Sequence, residues 1–402
     1  MAKRGIDSLG KLQGKRVLVR VDFNVPLKGQ GAERTVGDDY RLLKALPTIQ
    51  ALRERKARVV LCSHLGRPKG KPSPELSLRP IAARLSELLE APVAFVPAIV
   101  GEAAAAAVDA LEDGQVLLLE NLRFDPGEEK NDPAFGAALA SLADAYVSDA
   151  FGAVHRAHAS VVQLAERLPA ACGSLILAEV EKLGPLRDGT APGPVAVVLG
   201  GAKLDSKIPV LKALVPKVDA ICVGGGMAYT FLKAMGKPVG DSKVQDDMIP
   251  EAHAILERAR IRGRETGREL LLPRDHAVAT SFDDPTGYKV VEEIPAGYMG
   301  LDVGPQTIAE YVHCLQGART VFWNGPLGVF EKPPFHLGTH YLASYLGYNR
   351  AINTVVGGGD SAAAARELGL DEGMDWVSTG GGASLEFVQG DDLPGLVALP
   401  EA

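Results

Sequence analysis

Four apolar runs in the second half of the sequence each end in a cluster of glycines. Short apolar runs are typical of buried strands, and glycine after a strand allows a tight turn into a helix. In such a turn the backbone comes close to a ligand, and the N-terminus of the helix attracts an anion. Four such turns in one region predict a sheet edge that forms a ligand-binding crevice. The runs are Val195–Gly201, Ile221–Gly226, Thr354–Gly359 and Trp376–Gly382.

The first half alternates between short β-branched runs and helical stretches. Its predicted strands are apolar on both faces, which is expected of a parallel sheet covered by helices on both sides. Pro47 is expected in the first turn of its helix, where a missing N–H is harmless. The predicted strands are Arg16–Phe23, Arg58–Ser63, Val93–Val96, Val116–Glu120 and Ala145–Ser148. The predicted helices lie near Pro47–Lys56, Leu78–Leu89, Gly101–Leu111 and Ala134–Leu142.

A chain of 402 residues is too long for one ordinary core, so two domains are expected. Leu175–Leu186 has the pattern of one amphipathic helix, and the Gly- and Pro-rich Arg187–Pro194 follows as a linker. The predicted fold class is α/β, with two three-layer α/β/α lobes of mostly parallel strands joined by a hinge helix. The N-terminal lobe is predicted to span 1–172, the connecting helix and linker 173–194, and the C-terminal lobe 195–387. The C-terminal segment is 388–402, and one alternative is that it returns to the N-terminal lobe.

Charge and composition exclude several function classes. The net charge of −7 argues against general nucleic-acid binding, which needs a basic surface. Residues 1–10 have no apolar core, and no run approaches the roughly 18 apolar residues that span a membrane. The cysteines are far apart, so we expect reduced core residues and a reducing, cytoplasmic compartment. They are Cys62, Cys172, Cys222 and Cys314.

Several common catalytic motifs are missing from the sequence. It contains no G-x-x-x-x-G-K-[ST], no strict G-x-G-x-x-G, no H-E-x-x-H and no G-x-S-x-G. These absences leave P-loop, zinc-protease and serine-hydrolase chemistry poorly supported.

Five polar segments in the first half follow strands or begin loops, and four of them contain an arginine. Arginine binds phosphate and carboxylate with a planar, permanently charged fork. If the loops converge, they form a basic cup for a small, multiply charged anion; the alternative is that each arginine makes an ordinary surface ion pair. The segments are 21–26 (VDFNVP), 38–41 (DDYR), 63–68 (SHLGRP), 120–124 (ENLRF) and 155–160 (HRAHAS).

The second half places two lysines, Lys203 and Lys207, four residues apart at the expected opening of a helix. Cations there oppose the helix dipole, which is reasonable if an anion binds; the alternative is a solvated pair. Glu331 is a candidate acceptor for ribose hydroxyls or a plain loop carboxylate. Asp360 follows a glycine turn, where it is suited to hold Mg²⁺ beside phosphates, to cap the helix, or both.

Nine segments in this order resemble phosphoglycerate kinases: VDFNVP, DDYR, SHLGRP, ENLRF, HRAHAS, GGAKLDSKI, WNGPLGVFE, GGGDSAAA and STGGGASLEF. They extend from Asp22 to Phe387, nearly the whole chain. The resemblance implies two Rossmann-like lobes facing each other across a cleft. It implies 3-phosphoglycerate or 1,3-bisphosphoglycerate on the N-terminal lobe and Mg²⁺ with ADP or ATP on the C-terminal lobe.

Carried over position by position, the resemblance also implies the site residues. Arg41, Lys203 and Lys207 would be catalytic, with Arg41 and Lys203 facing the transferred phosphoryl group, and Asp360 would hold the metal. The phosphoglycerate would contact Asp22, Phe23, Asn24, Arg41, His64, Leu65, Gly66, Arg67, Arg123 and Arg156. The nucleotide would contact Lys203, Lys207, Asn324, Glu331, Gly358, Gly359, Asp360 and Ser361.

Two positions depart from the family pattern. Ser206 stands where an aspartate is common, which leaves the orientation of Lys207 open, and Ser361 stands where threonine is common but keeps a hydroxyl. The resemblance further implies a monomer with no nucleic-acid or membrane partner.

The implied chemistry needs no general base, because a carboxylate nucleophile is already ionised at neutral pH. Exclusion of water predicts hinge closure once both substrates are bound.

Two alternative functions are less well supported by the residues. A dinucleotide-dependent oxidoreductase would carry the fingerprint glycines and a downstream acidic residue, which we do not find. A non-catalytic sensor would have lost a phosphoryl-facing cation, yet the candidate cations are present.

Overall fold

The structure is a computed structural model that describes residues 2–29, 31, 34–267, 269–283, 285 and 287–402. The chain forms two compact units. Unit 1 comprises Met1–Glu181 with Asp392–Ala402, and unit 2 comprises Lys182–Asp391. The unit boundary therefore falls inside a helix, and the last eleven residues belong to the first unit.

Unit 1 is built on one six-stranded parallel sheet of order β5-β6-β4-β1-β7-β8, with a separate antiparallel pair, β2 and β3. The strands are β1 Arg16–Val21, β2 Leu27–Lys28, β3 Thr35–Val36, β4 Arg58–Cys62, β5 Val93–Phe95, β6 Val116–Leu118, β7 Ala145–Asp149 and β8 Ala170–Cys172. The helices are α1 Tyr40–Glu54, α2 Arg79–Leu88, α3 Glu102–Asp109, α4 Pro126–Glu129, α5 Pro133–Ala140, α6 Leu164–Arg167 and α7 Ser174–Asp188. Short 3₁₀ turns lie at Ile6–Leu9, Pro74–Leu76, Leu122–Phe124 and Phe151–Ala153, and a π-helical turn at Ala159–Gln163.

Unit 2 has a second six-stranded parallel sheet of order β11-β10-β9-β15-β16-β17 and a three-stranded antiparallel sheet of order β13-β12-β14. The strands are β9 Val195–Leu199, β10 Ala220–Val223, β11 Glu269–Leu271, β12 His276–Ala279, β13 Lys289–Val291, β14 Met299–Val303, β15 Thr320–Asn324, β16 Asn353–Gly357 and β17 Trp376–Val377. The helices are α8 Ile208–Leu214, α9 Met227–Ala234, α10 Ile249–Thr266, α11 Pro305–Gln316, α12 Leu337–Tyr348, α13 Gly359–Glu367 and α14 Gly382–Gln389. Two 3₁₀ turns lie at Asp246–Met248 and Asp371–Gly373, and α15 Pro394–Val397 belongs to unit 1.

The predicted α/β class with mostly parallel sheets is confirmed. Strand β1 shows why, because every residue after Arg16 is buried. Val17, Val19 and Val21 pack into the same core cluster as α1 and α2, while Leu18 points to the opposite, equally buried face. A strand buried on both sides is the expected centre of a parallel sheet.

Several local predictions were wrong. Helix α1 begins at Tyr40, so Pro47 lies in the helix interior rather than in its first turn. A proline in a helix interior costs about 3 kcal/mol through a lost hydrogen bond and a steric clash. Burial of Leu42, Ile49 and Leu52 against the sheet offsets that cost. Helix α7 continues to Asp188, into the stretch predicted to be a linker.

Three further features were not anticipated. Strand β8 and the antiparallel sheet of unit 2 had no counterpart in the prediction. Cys314 is half-buried, whereas the other three cysteines are buried as expected. In the part of the chain that the structure describes, no helix combines the length and apolar character needed to cross a membrane.

Candidate active site

The first group of candidate residues lies at the carboxyl edge of the sheet in unit 1. Asp22 follows β1, His64 follows β4 and Arg123 follows β6, while Arg41 is in the first turn of α1. Strands β6, β4 and β1 are consecutive neighbours and parallel, so their carboxyl ends bring these side chains to one edge.

Hydrogen bonds join most of this group directly. Arg41 Nη1 donates to Asp22 Oδ2 at 2.7 Å and to the Asn24 carbonyl at 3.3 Å. Asn24 Oδ1 accepts from the Gly66 amide at 2.9 Å, and Arg123 Nη1 donates to the Gly66 carbonyl at 2.7 Å. Five of the predicted residues from four chain segments are therefore assembled into one site, which local sequence spacing could not have guaranteed.

The remaining predicted residues of this unit fall into two kinds. Phe23 and Leu65 are buried, at 0% and 4% exposure, and their amides donate to Ser63 Oγ and Asn121 Oδ1, so the structure gives neither residue an open ligand contact. Arg67 and Arg156 are exposed. Burial lowers the pKa of Arg123, with Glu129 opposing the shift and Arg156 and Arg20 adding to it.

Electrostatics fix the charge state of two groups at this edge. Burial alone would raise the pKa of Asp22, but the charges of Arg41 and Arg20 and a hydrogen bond from the Asn24 amide act against it, and the net pKa is lowered. Burial, together with neighbouring guanidinium groups, holds the pKa of His64 well below its usual value. At neutral pH the site therefore contains an ionised Asp22, a neutral His64 and permanently charged arginines, a balance that suits an anion.

The second group of candidate residues lies at the carboxyl edge of the parallel sheet in unit 2. Lys207 lies just before α8, so the helix begins after both lysines rather than at them. The Lys207 ammonium group donates to Asn324 Oδ1 at the end of β15. Asn324 Nδ2 in turn donates to the Gly357 carbonyl at 2.6 Å, at the end of the neighbouring strand β16.

The glycine turn after β16 leads into α13. Gly358 has φ +93°, and a Cβ there would lie 2.6 Å from Asn324 Nδ2, so this position needs glycine. Ser361 is fully buried, and its Oγ accepts from the Gly325 amide at 2.5 Å. Gly359 and Asp360 are exposed in the first turn of α13, where backbone N–H groups are available to an anion.

The lysines of unit 2 differ in environment. Burial lowers the pKa of Lys207 to about 8, partly opposed by the negative charge of Asp360. Lys203 is exposed, as is Glu331 in the loop after β15. Ser206 Oγ donates to the Lys203 carbonyl at 3.1 Å, while the ammonium group of Lys207 is held by Asn324.

Arg20, Glu128 and the hydroxyl of Ser160 were not singled out by the sequence analysis. Arg20 interrupts the apolar run of β1 and is only 1% exposed, and Glu128 in α4 is fully buried. A charged residue inside an otherwise apolar strand was the signal available in the sequence.

Both units place groups of candidate anion-binding residues at the carboxyl edge of a parallel sheet, the arrangement found in α/β enzymes that act on small anionic substrates. The sequence matches the family model described as "Phosphoglycerate kinase" over residues 6–391. The chain belongs to the phosphoglycerate kinase family. The reaction of this family is the reversible glycolytic transfer of a phosphoryl group between 1,3-bisphosphoglycerate and ADP, with a carboxyl group as the acceptor.

Individual relatives agree with this membership. The chain is 51% identical to phosphoglycerate kinase of Salinispora tropica, covering 99% of this chain and 100% of the relative. It is 52% identical to that of Anaeromyxobacter dehalogenans, with full coverage of both chains. Among solved structures, phosphoglycerate kinase from Coxiella burnetii is 38% identical with a TM-score of 0.84, and that from Pyrococcus horikoshii is 31% identical with a TM-score of 0.83; each comparison covers 98% of both chains.

Proposed function

We propose that unit 1 binds 3-phosphoglycerate or 1,3-bisphosphoglycerate and that unit 2 binds ADP or ATP with Mg²⁺. The observation that carries the first assignment is the joined group of Asp22, Asn24, Arg41, Gly66 and Arg123 at one sheet edge. Arg67, next to Gly66, and Arg156 are also exposed. With Arg41 and Arg123 these guanidinium groups outnumber the carboxylates of Asp22 and of Glu129, which pairs with Arg123 at 3.1 Å. A ligand with both a phosphate and a carboxylate matches that excess of positive charge.

The assignment of the nucleotide to unit 2 rests on the turn after β16. The N–H groups at the start of α13 suit a phosphate, and Lys207, anchored on Asn324, adds a cation. Glu331 is exposed and suited to accept from ribose hydroxyls.

The residues present fit a magnesium ion at Asp360. Mg²⁺ in phosphotransferases is held by one or two carboxylates together with substrate phosphates. Asp360 is an exposed carboxylate in the first turn of α13, directly after the glycines proposed to receive the phosphates. When bound there, the ion would neutralise part of the negative charge of the phosphates.

Arg41 and Lys203 are proposed to stabilise the transferred phosphoryl group, with Lys207 supporting it from the nucleotide side. The attacking carboxylate is ionised at neutral pH, so the protein's task is positioning and charge stabilisation. Arg41 is held for this role by Asp22.

Since the two substrates are assigned to different units, we propose that the units close on both ligands. A scattering measurement that finds no compaction in the ternary complex would contradict closure.

The decisive experiment is a coupled assay of 3-phosphoglycerate-dependent ATP consumption with and without Mg²⁺. Turnover that requires both additions supports the proposal. A folded protein that binds both ligands without turnover would instead support a sensor.

We also propose that the protein is a cytoplasmic monomer, in keeping with the glycolytic reaction. Light scattering that gives the mass of a dimer would contradict the monomer.

A further inference from the structure

A chain of buried polar contacts lies beneath the candidate phosphoglycerate site. Arg20 Nε donates to Ser160 Oγ at 2.8 Å, and Ser160 Oγ donates to Glu128 Oε1 at 2.6 Å. The Ser160 amide donates to the other carboxylate oxygen, Glu128 Oε2, at 2.9 Å. At the other end of the chain of contacts, Arg20 Nη2 lies 3.2 Å from His64 Nδ1. We call Glu128, Ser160, Arg20 and His64 the buried relay.

Every member of the buried relay is shielded from water. Arg20 is 1% exposed, Glu128 and Ser160 are 0% exposed, and His64 is 7% exposed. A buried guanidinium and a buried carboxylate are costly unless hydrogen bonds satisfy both. Here the Ser160 hydroxyl bridges the two groups, and the Ser160 amide serves the second carboxylate oxygen. Arg20 also donates to the Val21 carbonyl at 2.5 Å, so Ser160 and Val21 together hold the guanidinium in one orientation.

The contact between Arg20 and His64 determines which ring nitrogen carries the proton. A guanidinium has donors and no acceptor. His64 Nδ1 must therefore accept from Arg20, and the proton of the neutral ring is on Nε2. Which tautomer a histidine adopts is set in this way by the partner of its other nitrogen.

We propose that Arg20, held by Ser160 and Glu128, is a positioning residue that keeps His64 as the neutral Nε2–H tautomer, so that the ring presents a donor to the phosphoglycerate. This inference rests on the proposed function for the role of His64 as a substrate contact. Arg20 acts only through His64.

The charges around His64 determine how it responds when the relay is broken. Burial is the main cause of the lowered pKa of His64; Asp22 opposes the shift and Arg20 adds to it. Removal of the Arg20 charge therefore raises the pKa of His64. The charged groups that face the ring are Asp22, Arg20, Arg41 and Arg123.

The first test reads the tautomer without catalysis. Long-range ¹H–¹⁵N NMR of the full chain with labelled histidine distinguishes the two neutral tautomers and the cation, and a His64→Gln spectrum assigns the signal among the eight histidines. We expect the Nε2–H form throughout the neutral range. In an Arg20→Met, Glu128→Gln double variant, which removes both buried charges together, we expect a tautomer mixture and a titration. An Nδ1–H form in the unaltered chain, or an unchanged signal in the double variant, would overturn the inference.

The second test is kinetic. Ser160→Ala keeps both charges and removes only the bridging hydroxyl. We expect it to lower kcat/KM for 3-phosphoglycerate by about tenfold, and the double variant by up to about 10²-fold, the scale for a displaced catalytic contact. The KM for ATP should not change in either variant. In the double variant, which lacks the Arg20 charge, a new ionisation should appear on the acidic side of the pH profile of kcat/KM.

Tyr146→Phe is the matched control. The Tyr146 hydroxyl donates to the Ser160 carbonyl at 2.9 Å, so the variant disturbs the same buried region without touching the guanidinium. We expect lower stability with an unchanged KM and an unchanged His64 signal. If Tyr146→Phe reproduced the Ser160→Ala kinetics, the relay would be merely structural and the inference would fail. Absence of turnover in the unaltered chain would contradict the proposed function, while the NMR result would still decide the tautomer.

Discussion

The guanidinium of Arg41 lies 2.7 Å from the carboxylate of Asp22, a nearly buried acid whose pKa is lowered by Arg41 against the effect of burial. Asp22 follows β1 and Arg41 begins α1, so the pair joins a strand end to the next helix of the same unit. Each group needs the other, because an unpaired carboxylate at this depth would be costly. The pair holds the Arg41 fork in one orientation before any substrate arrives.

Replacement of Arg41 by alanine is expected to reduce kcat by on the order of 10²-fold or more, the scale for losing one preorganised donor to a developing charge. Steady-state assay with 3-phosphoglycerate and ATP measures it. Arg55→Ala is the matched control, since Arg55 follows the other end of α1 and pairs with Asp7 at the surface. Near-normal turnover in Arg41→Ala would remove Arg41 from the catalytic group.

Lys203→Ala is likewise expected to reduce kcat by on the order of 10²-fold or more. The control is Lys212→Ala, because Lys212 in the neighbouring α8 makes a surface ion pair with Glu251 at 2.7 Å. A surface pair of this kind contributes about 1 kcal/mol at most to stability, so that variant should keep its turnover. Equal loss in both variants would point to damage of the local fold rather than to a role for Lys203.

Gly358→Ala is expected to weaken ADP binding by about tenfold, because the new Cβ would displace Asn324 and with it Lys207. Gly369, at the other end of α13, has φ +65°, and a Cβ added there would meet none of the described atoms within 4 Å. Gly369→Ala therefore carries only backbone strain, about 1 kcal/mol, and should bind ADP normally. Calorimetric titration compares the two, and equal affinities would show that the contact with Asn324 is unimportant.

ADP affinity is expected to decline as pH rises above about 8, the pKa to which burial lowers Lys207. The bound phosphate favours the charged form of Lys207. Above its pKa the free protein has released the proton that the complex retains, so binding weakens as pH rises. In Lys207→Arg the cation persists, and the decline should disappear. A decline that persists in Lys207→Arg would assign it to another group.

Asp149 links pH to the stability of unit 1. Burial raises the pKa of its carboxyl to about 7 from 3.8, with Thr48 and the first amides of α7 opposing the shift. Between these values the folded state binds a proton that the unfolded state has released. Stability should therefore fall as pH rises toward about 7, by about 1.4 kcal/mol for each unit between the two pKa values.

Urea unfolding of Asp149→Asn at about pH 4.5 and about pH 8 measures this link. The variant lacks the titration, so its stability relative to the unaltered chain should rise over that interval. Asp144→Asn is the control, because the hydrogen bond from Arg16 lowers the pKa of Asp144 and confines its link to pH to values below its usual 3.8. Its stability relative to the unaltered chain should therefore stay constant over the same interval. Parallel pH curves for Asp149→Asn and the unaltered chain would refute the link.

Much of the candidate site could be predicted from sequence because its residues follow strands. In a parallel sheet all carboxyl ends lie at one edge, so polar residues after β1, β4 and β6 were expected at that edge. They meet because these three strands are neighbours, which only the structure shows. The order of the motifs then identified the family. The same logic placed Asn324 and Gly358 together after neighbouring strands β15 and β16.

The sequence by itself determined the fold class, the family and the residue types at each strand end, since these depend on local periodicity and motif order. Only the tertiary structure decided that Pro47 lies within a helix, where packing against the sheet outweighs the local cost. Only the tertiary structure decided that Arg20 is buried, because its hydrogen-bonded partner Ser160 is 140 residues away along the chain. Burial of a charge depends on partners brought together by folding, and spacing within a strand carries no information about them.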